Sequence, residues 1–145
     1  MTKRILVVDD DADVAEPLAI LLSRTYDVDL AANGADAVRR IERGHYDAIV
    51  LDLVMPVMDG SSFKAWLDGQ GLDIPVVLVS GSADLVERAQ QLGVADHFAK
   101  PLDTAALRAR LAAILDRPPS QSRIAGSASG AVRNPALAAQ GGGAR

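Results

Sequence analysis

Short apolar runs alternate with stretches of helical period along the first 117 residues, five of each. Residues 4–9 read Arg-Ile-Leu-Val-Val-Asp, too short for a helix and rich in β-branched side chains, which predicts a strand. Val14, Leu18, Leu21 and Leu22 then recur at i, i+4, i+7 and i+8, one face of a helix. Pro17 sits about one turn into that helix, where few backbone donors have partners to lose. Residues 27–32 form a second, weaker strand, and Asn33 is placed to cap a helix running through Val38 and Ile41 to Gly44. Residues 47–52 are a third strand, whose loop over 53–60 leads to a helix bearing Phe63, Trp66 and Leu67. A fourth strand over 75–80 precedes a helix over 84–92 that Gly93 stops. A fifth strand over 95–99 precedes a helix over 103–115, with Leu107, Leu111 and Ile114 turned inward.

Strands one, three and four are apolar throughout, the pattern of parallel strands covered by helices on both faces. Strict β–α alternation with short loops implies right-handed crossovers and an α/β, doubly wound (βα)5 sheet. In such a sheet the site lies beyond the carboxyl ends of the strands. The polar residues that end strands are Asp9 and Asp10, Asp52, Ser80 and Lys100.

Composition adds exclusions. Of 145 residues 49% are apolar and 23% charged, an ordinary globular balance at a length that favours one domain. Cysteine is absent, which excludes disulfides, Cys-ligated metal and a thiol nucleophile, and His45 and His97 are the only histidines. Residues 1–117 hold all 19 acids and 12 of the 15 bases, so this part carries −7. An acidic body argues against a nucleic-acid partner. The apolar run behind the N-terminus is too short for a signal peptide core or a membrane span, so no membrane association and a cytoplasmic setting are expected. Residues 118–145 carry only three arginines as charge and are otherwise dominated by Ala, Gly, Ser and Pro. Such a segment is expected to be a flexible tail without an effector domain, either a docking extension or plain disorder.

Three carboxylates brought together repel one another and are stable as anions only beside a cation. An oxygen-only donor set favours a hard ion, Mg2+ where phosphate is also bound. A hydroxyl at Ser80 and an ammonium at Lys100 suit phosphoryl oxygens. Singly, each residue has a plainer reading as a helix cap, a turn or a solvated lysine. Jointly they describe phosphoryl transfer onto an aspartate.

The residues that carry this pattern are Ile5-Leu-Val-Val-Asp-Asp-Asp11, Ile49-Val-Leu-Asp-Leu-Val-Met-Pro-Val-Met-Asp-Gly60, Val79-Ser-Gly81 and Lys100-Pro101. Over about residues 3–117 the chain thus resembles the receiver domains of two-component response regulators, here of the stand-alone type. The resemblance implies a flavodoxin-like sheet of order 2-1-3-4-5 and Asp52 as phosphoacceptor from a sensor histidine kinase or histidine phosphotransfer protein. It implies Mg2+ held by Asp10, Asp52 and the Val54 carbonyl, with Asp9 holding metal-bound water. Ser80 and Lys100 would bind the phosphoryl oxygens, and the Lys100–Pro101 peptide would be cis. The output would be a change at the face of the fourth helix, fifth strand and fifth helix, felt by an unknown protein target or followed by onward relay of phosphate. The chain would act as a monomer or a phosphorylation-dependent dimer, catalysing only its own phosphorylation and dephosphorylation.

Two positions depart from the family pattern. The strand-five residue three before the lysine, commonly Tyr or Phe in the family, is His97. It is either a switch residue that follows Ser80 or an exposed histidine on a strand edge. Two residues past the acceptor, Val54 is apolar where relatives often carry polar groups, which predicts slow loss of phosphate. Among rival readings, Asp9-x-Asp11 resembles the nucleophile motif of haloacid-dehalogenase-type phosphatases. Position 13 is Asp rather than Thr or Val, however, and no acidic pair follows Lys100 on another strand. A calcium loop fails because Val14 stands where Gly is required. An adaptor that keeps the fold without the chemistry would have no need of the intact acidic, hydroxyl and lysine set.

Overall fold

Apolar runs of five residues with β-branched side chains become the inner strands, and the amphipathic stretches between them cover both sheet faces. The computed structural model describes residues 2–55 and 57–116, with the backbone of Ala139–Gln140 and Gly142–Gly143. The elements are β1 Arg4–Val8, α1 Ala12–Leu22, β2 Asp27–Ala31, α2 Gly34–Arg43, β3 Ala48–Asp52, α3 Gly60–Gly69, β4 Val76–Ser80, α4 Leu85–Leu92, β5 Asp96–Ala99 and α5 Thr104–Leu115. All five strands pair in parallel in the order β2-β1-β3-β4-β5, the expected doubly wound sheet. β3 and β4 are buried at every residue, whereas the edge strands β2 and β5 are mostly half-buried. The tail expected over 118–145 lies outside the described residues, apart from Ala139–Gln140 (β6) and Gly142–Gly143 (β7), whose backbones pair antiparallel.

The sheet divides the core in two. Leu6, Ile49, Leu51 and Leu78 point to one face with Phe63, Leu67 and Leu85 of α3 and α4. Ile5, Val7, Val50 and Val77 point to the other with Leu18 of α1 and Leu107 and Leu111 of α5. Each fully buried Leu or Ile contributes about 1.5–3 kcal/mol relative to an exposed one. Since α1 leaves β1 on one face and α3 leaves β3 on the other, a crevice opens between the ends of these adjacent strands.

Helix ends follow the sequence closely. Asp11 Oδ1 accepts from the Asp13 N–H at 3.0 Å, Asn33 Oδ1 from Asp36 at 2.9 Å and Asp59 Oδ1 from Ser62 at 2.8 Å, three N-caps. Gly93 ends α4 at φ 65°, the left-handed conformation that glycine adopts without strain. On α1 the buried residues are Ala15, Leu18 and Leu22, with Val14 and Leu21 half-buried. The inward face thus keeps Leu18 and Leu22 as expected but centres on Ala15, with Val14 and Leu21 at its margins. Pro17 is the sixth residue of α1, further in than expected, so one backbone bond within the helix is missing on its exposed side. Among the described residues no helix is long and apolar enough to cross a membrane.

Candidate functional site

Asp9 and Asp10 follow β1, Asp52 ends β3, Ser80 ends β4 and Lys100 follows β5, so parallel pairing delivers all five to one edge. Oxygens of Asp9, Asp10 and Asp52 lie within 4.8 Å of one another. The Lys100 ammonium sits 3.2 Å from Asp9 Oδ2 and 3.6 Å from Asp52 Oδ1. The other Asp9 oxygen accepts the Asp11 N–H at 2.9 Å, so both its oxygens are engaged by the protein. Asp10 is exposed, while Asp52 and Ser80 are buried. Asp10, Asp52, Val54, Ser80 and Lys100 line one open cleft of about 420 Å3.

Burial and, after it, charge crowding push Asp52 up to about 6. Burial is the main cause and the charge of Asp9 the next; Lys100 and the backbone N–H of Val54 act in the opposite sense, and Asp10 adds to the rise. Burial by itself lowers Lys100, but the neighbouring Asp52 and Asp9 outweigh it and hold the ammonium above its ordinary value. Three carboxylates facing one ammonium leave an excess of negative charge at oxygen donors, a set that fits a hard divalent cation such as Mg2+. Asp10, Asp52 and the Val54 carbonyl are the groups with which the cleft could hold it.

The loop behind the acceptor is tightly built. Gly60 donates its N–H to the Leu53 carbonyl at 2.9 Å, and a Cβ on Gly60 would lie 2.5 Å from the Asp52 carbonyl oxygen. Glycine eight residues beyond Asp52 is thus required by close backbone approach. Val57 has φ 71° and is 84% exposed, an uncommon conformation for a β-branched residue. Met55, by contrast, is buried in the core on the α3 side of the sheet. Ser80 Oγ accepts the Ser82 N–H at 3.0 Å, and the Ser80 carbonyl accepts the Lys100 N–H at 3.0 Å. The Lys100–Pro101 peptide is cis.

His97 does not join this cleft. The register sets it opposite Leu78, and with Ala89, Gln90, Gly93 and Val94 it lines a separate groove of about 350 Å3 between α4 and β5. Its neighbour Asp96 instead meets Arg110 of α5, with Nε 2.9 Å from Oδ2. Asp11, Gly81 and Ser82 line the cleft as well. Asp11 and Gly81 belong to the motifs that carry the family resemblance, and Ser82 stands two residues past Ser80, where the resemblance places a residue that influences loss of phosphate.

A family profile described as "Response regulator receiver domain" matches residues 5–112. Response regulator MprA of Mycobacterium tuberculosis is 40% identical over 120 residues, covering 81% of this chain and 52% of the relative. The chain thus spans about half the length of the curated relatives it matches. Among solved structures, the receiver domain of Francisella response regulator 1452 superposes with TM-score 0.74 at 29% identity, covering 79% of this chain and 98% of that one. Response regulator TrrA of Thermotoga maritima, solved in complex with Mg2+-BeF, gives TM-score 0.70 at 26% identity over 77% and 98% of the two chains.

Proposed function

The chain belongs to the response-regulator receiver domain family of two-component signalling, and from that premise we propose that Asp52 is the acceptor of a phosphoryl group taken from a phosphohistidine. The observation that carries the proposal is the buried Asp52 carboxylate, 3.6 Å from the Lys100 ammonium in a cluster with Asp9 and Asp10. An Asp52 carboxylate oxygen attacks phosphorus, the P–N bond to the donor imidazole breaks, and the released ring nitrogen takes up a proton. Lys100 and the Ser80 hydroxyl bind the transferred oxygens, with the ammonium compensating the charge added at Asp52. Mg2+, when bound by Asp10, Asp52 and the Val54 carbonyl with Asp9 acting through water, supplies charge neutralisation for the phosphoryl oxygens. The Mg2+-BeF complex of the similar TrrA supports this cation assignment.

The partners proposed are a sensor histidine kinase or a histidine phosphotransfer protein upstream, in the cytoplasm, and a protein target or a relay histidine downstream. When the dianion forms, Ser80 turns toward it and vacates space that His97 fills from the α4–β5 groove, altering the α4–β5–α5 face. The protein itself acts as a switch, whose only catalysis is gain and loss of its own phosphoryl group.

Incubation with acetyl phosphate and Mg2+, read by intact mass, should add one phosphoryl per chain, lost without Mg2+ and in Asp52→Asn. No adduct with acetyl phosphate or a panel of kinases would sink the acceptor reading. Beryllofluoride should shift amide resonances across α4, β5 and α5; changes confined to the acidic cleft would remove the output reading while leaving the acceptor intact.

A further inference from the structure

The β3–α3 loop is held by α2, an element with no residue in the acidic cleft. At the start of α2 the Gly34 N–H donates to the Met58 carbonyl at 3.0 Å. Gly34 is buried, and a Cβ there would lie 2.6 Å from both Met58 O and Met58 Cγ and 2.8 Å from Met58 Cβ. Real Cβ atoms do not come so near backbone oxygen, so any larger residue must push the loop away. Left-handed backbone is not the reason for glycine here; room is. Asn33 caps the same helix, its Oδ1 accepting the Asp36 N–H at 2.9 Å, and so fixes this first turn.

The pinned loop is short. Met55 is anchored in the core, Gly60 is tied to Leu53, and Val57 between them is held at φ 71°. Met58 is therefore a third attachment point on a segment that begins with Val54, whose N–H steadies the Asp52 carboxylate and whose carbonyl faces the cation in the reading above. We propose that Gly34 is a positioning residue for the acidic site: its docking on Met58 holds the loop in the shape in which Val54 and Asp52 bind Mg2+. This rests on the proposed cation site, and it adds a residue on a helix remote from the cleft in sequence and chemistry.

The test titrates Mg2+ alone, followed by calorimetry and by Trp66 fluorescence, into the full chain and two variants. Gly34→Ala should remain folded and bind Mg2+ at least about fivefold more weakly. Gly69→Ala, where an added Cβ meets nothing, should bind as the unsubstituted protein does. A folded Gly34→Ala with unchanged Mg2+ affinity overturns the proposal. A purely structural role would lower the unfolding temperature without moving the affinity of the folded fraction.

Should Gly34→Ala fail to fold, reciprocity provides a measurement in the unsubstituted chain. If the Gly34–Met58 contact favours Mg2+ binding, Mg2+ must favour the contact by the same factor. Exchange of the Gly34 amide should slow about fivefold more on adding Mg2+ than that of Gly44, whose N–H bonds Arg40 O at the far end of α2. Equal slowing of the two overturns the proposal. Absence of any Mg2+ binding by the unsubstituted chain removes the cation site itself and this proposal with it, an outcome distinct from both others.

Discussion

The Lys100 ammonium lies 3.2 Å from Oδ2 of Asp9, a contact between residues 91 positions apart that ties the residue after β5 to the residue after β1 past the ends of β4 and β3. Lys100 thus offsets the repulsion between Asp9 and Asp52 while standing where new phosphoryl charge would develop. Lys100→Met leaves two buried carboxylates facing each other. Partial exposure of the lysine moderates the loss, so a cost of about 1–3 kcal/mol is expected in urea unfolding at pH 7. Phosphorylation by acetyl phosphate should slow at least tenfold; unchanged kinetics would remove Lys100 from the phosphoryl site.

Asp52 sets a pH dependence of stability. Its value in the fold, about 6, exceeds that of the unfolded chain, so the fold favours the protonated carboxyl. Stability from this group is fully present below about pH 4 and is lost as pH rises through about 6. In EDTA, the unsubstituted chain should therefore lose about 1–3 kcal/mol between pH 4 and pH 7 that Asp52→Asn does not lose. Parallel stability profiles for the two proteins would contradict the buried, crowded environment of Asp52.

Val54 is 63% exposed at the rim of the cleft and has no polar group with which to orient water toward a phosphoryl on Asp52. Slow hydrolysis is expected, and Val54→Asn should shorten the phosphoryl lifetime several-fold, measured by phosphate release after removal of donor. An equal lifetime would mean that water is positioned by other groups.

Val57 holds a left-handed backbone with its side chain in solvent, so replacing it loses little packing. Val57→Gly should stabilise the protein by about 0.5–1 kcal/mol, the relief of strain exceeding the extra chain entropy of glycine. Thermal unfolding checks this. A lower melting temperature would show that the loop gains more from the valine than its exposure suggests.

Order of elements and the identity of the strand-end residues were legible in the chain alone. Strand length, helical period, N-caps such as Asn33 and stops such as Gly93 depend on neighbours within a turn or a strand, and that range lies within a reading window. The apolar character of residues 48–51 and 76–79 already required cover on both faces, and hence helices between parallel strands. Convergence of Asp9, Asp10, Asp52, Ser80 and Lys100 followed from topology without any distance. The rest depends on contacts between segments distant in sequence. The turn of α1 onto Ala15, the reach of Lys100 to Asp9, the separation of His97 into the α4–β5 groove and the seat of Gly34 on Met58 each arise from packing one element against another. Close-packed interiors settle such contacts to a fraction of an ångström, whereas residue type and spacing along the chain specify only which face and which end of an element a side chain occupies.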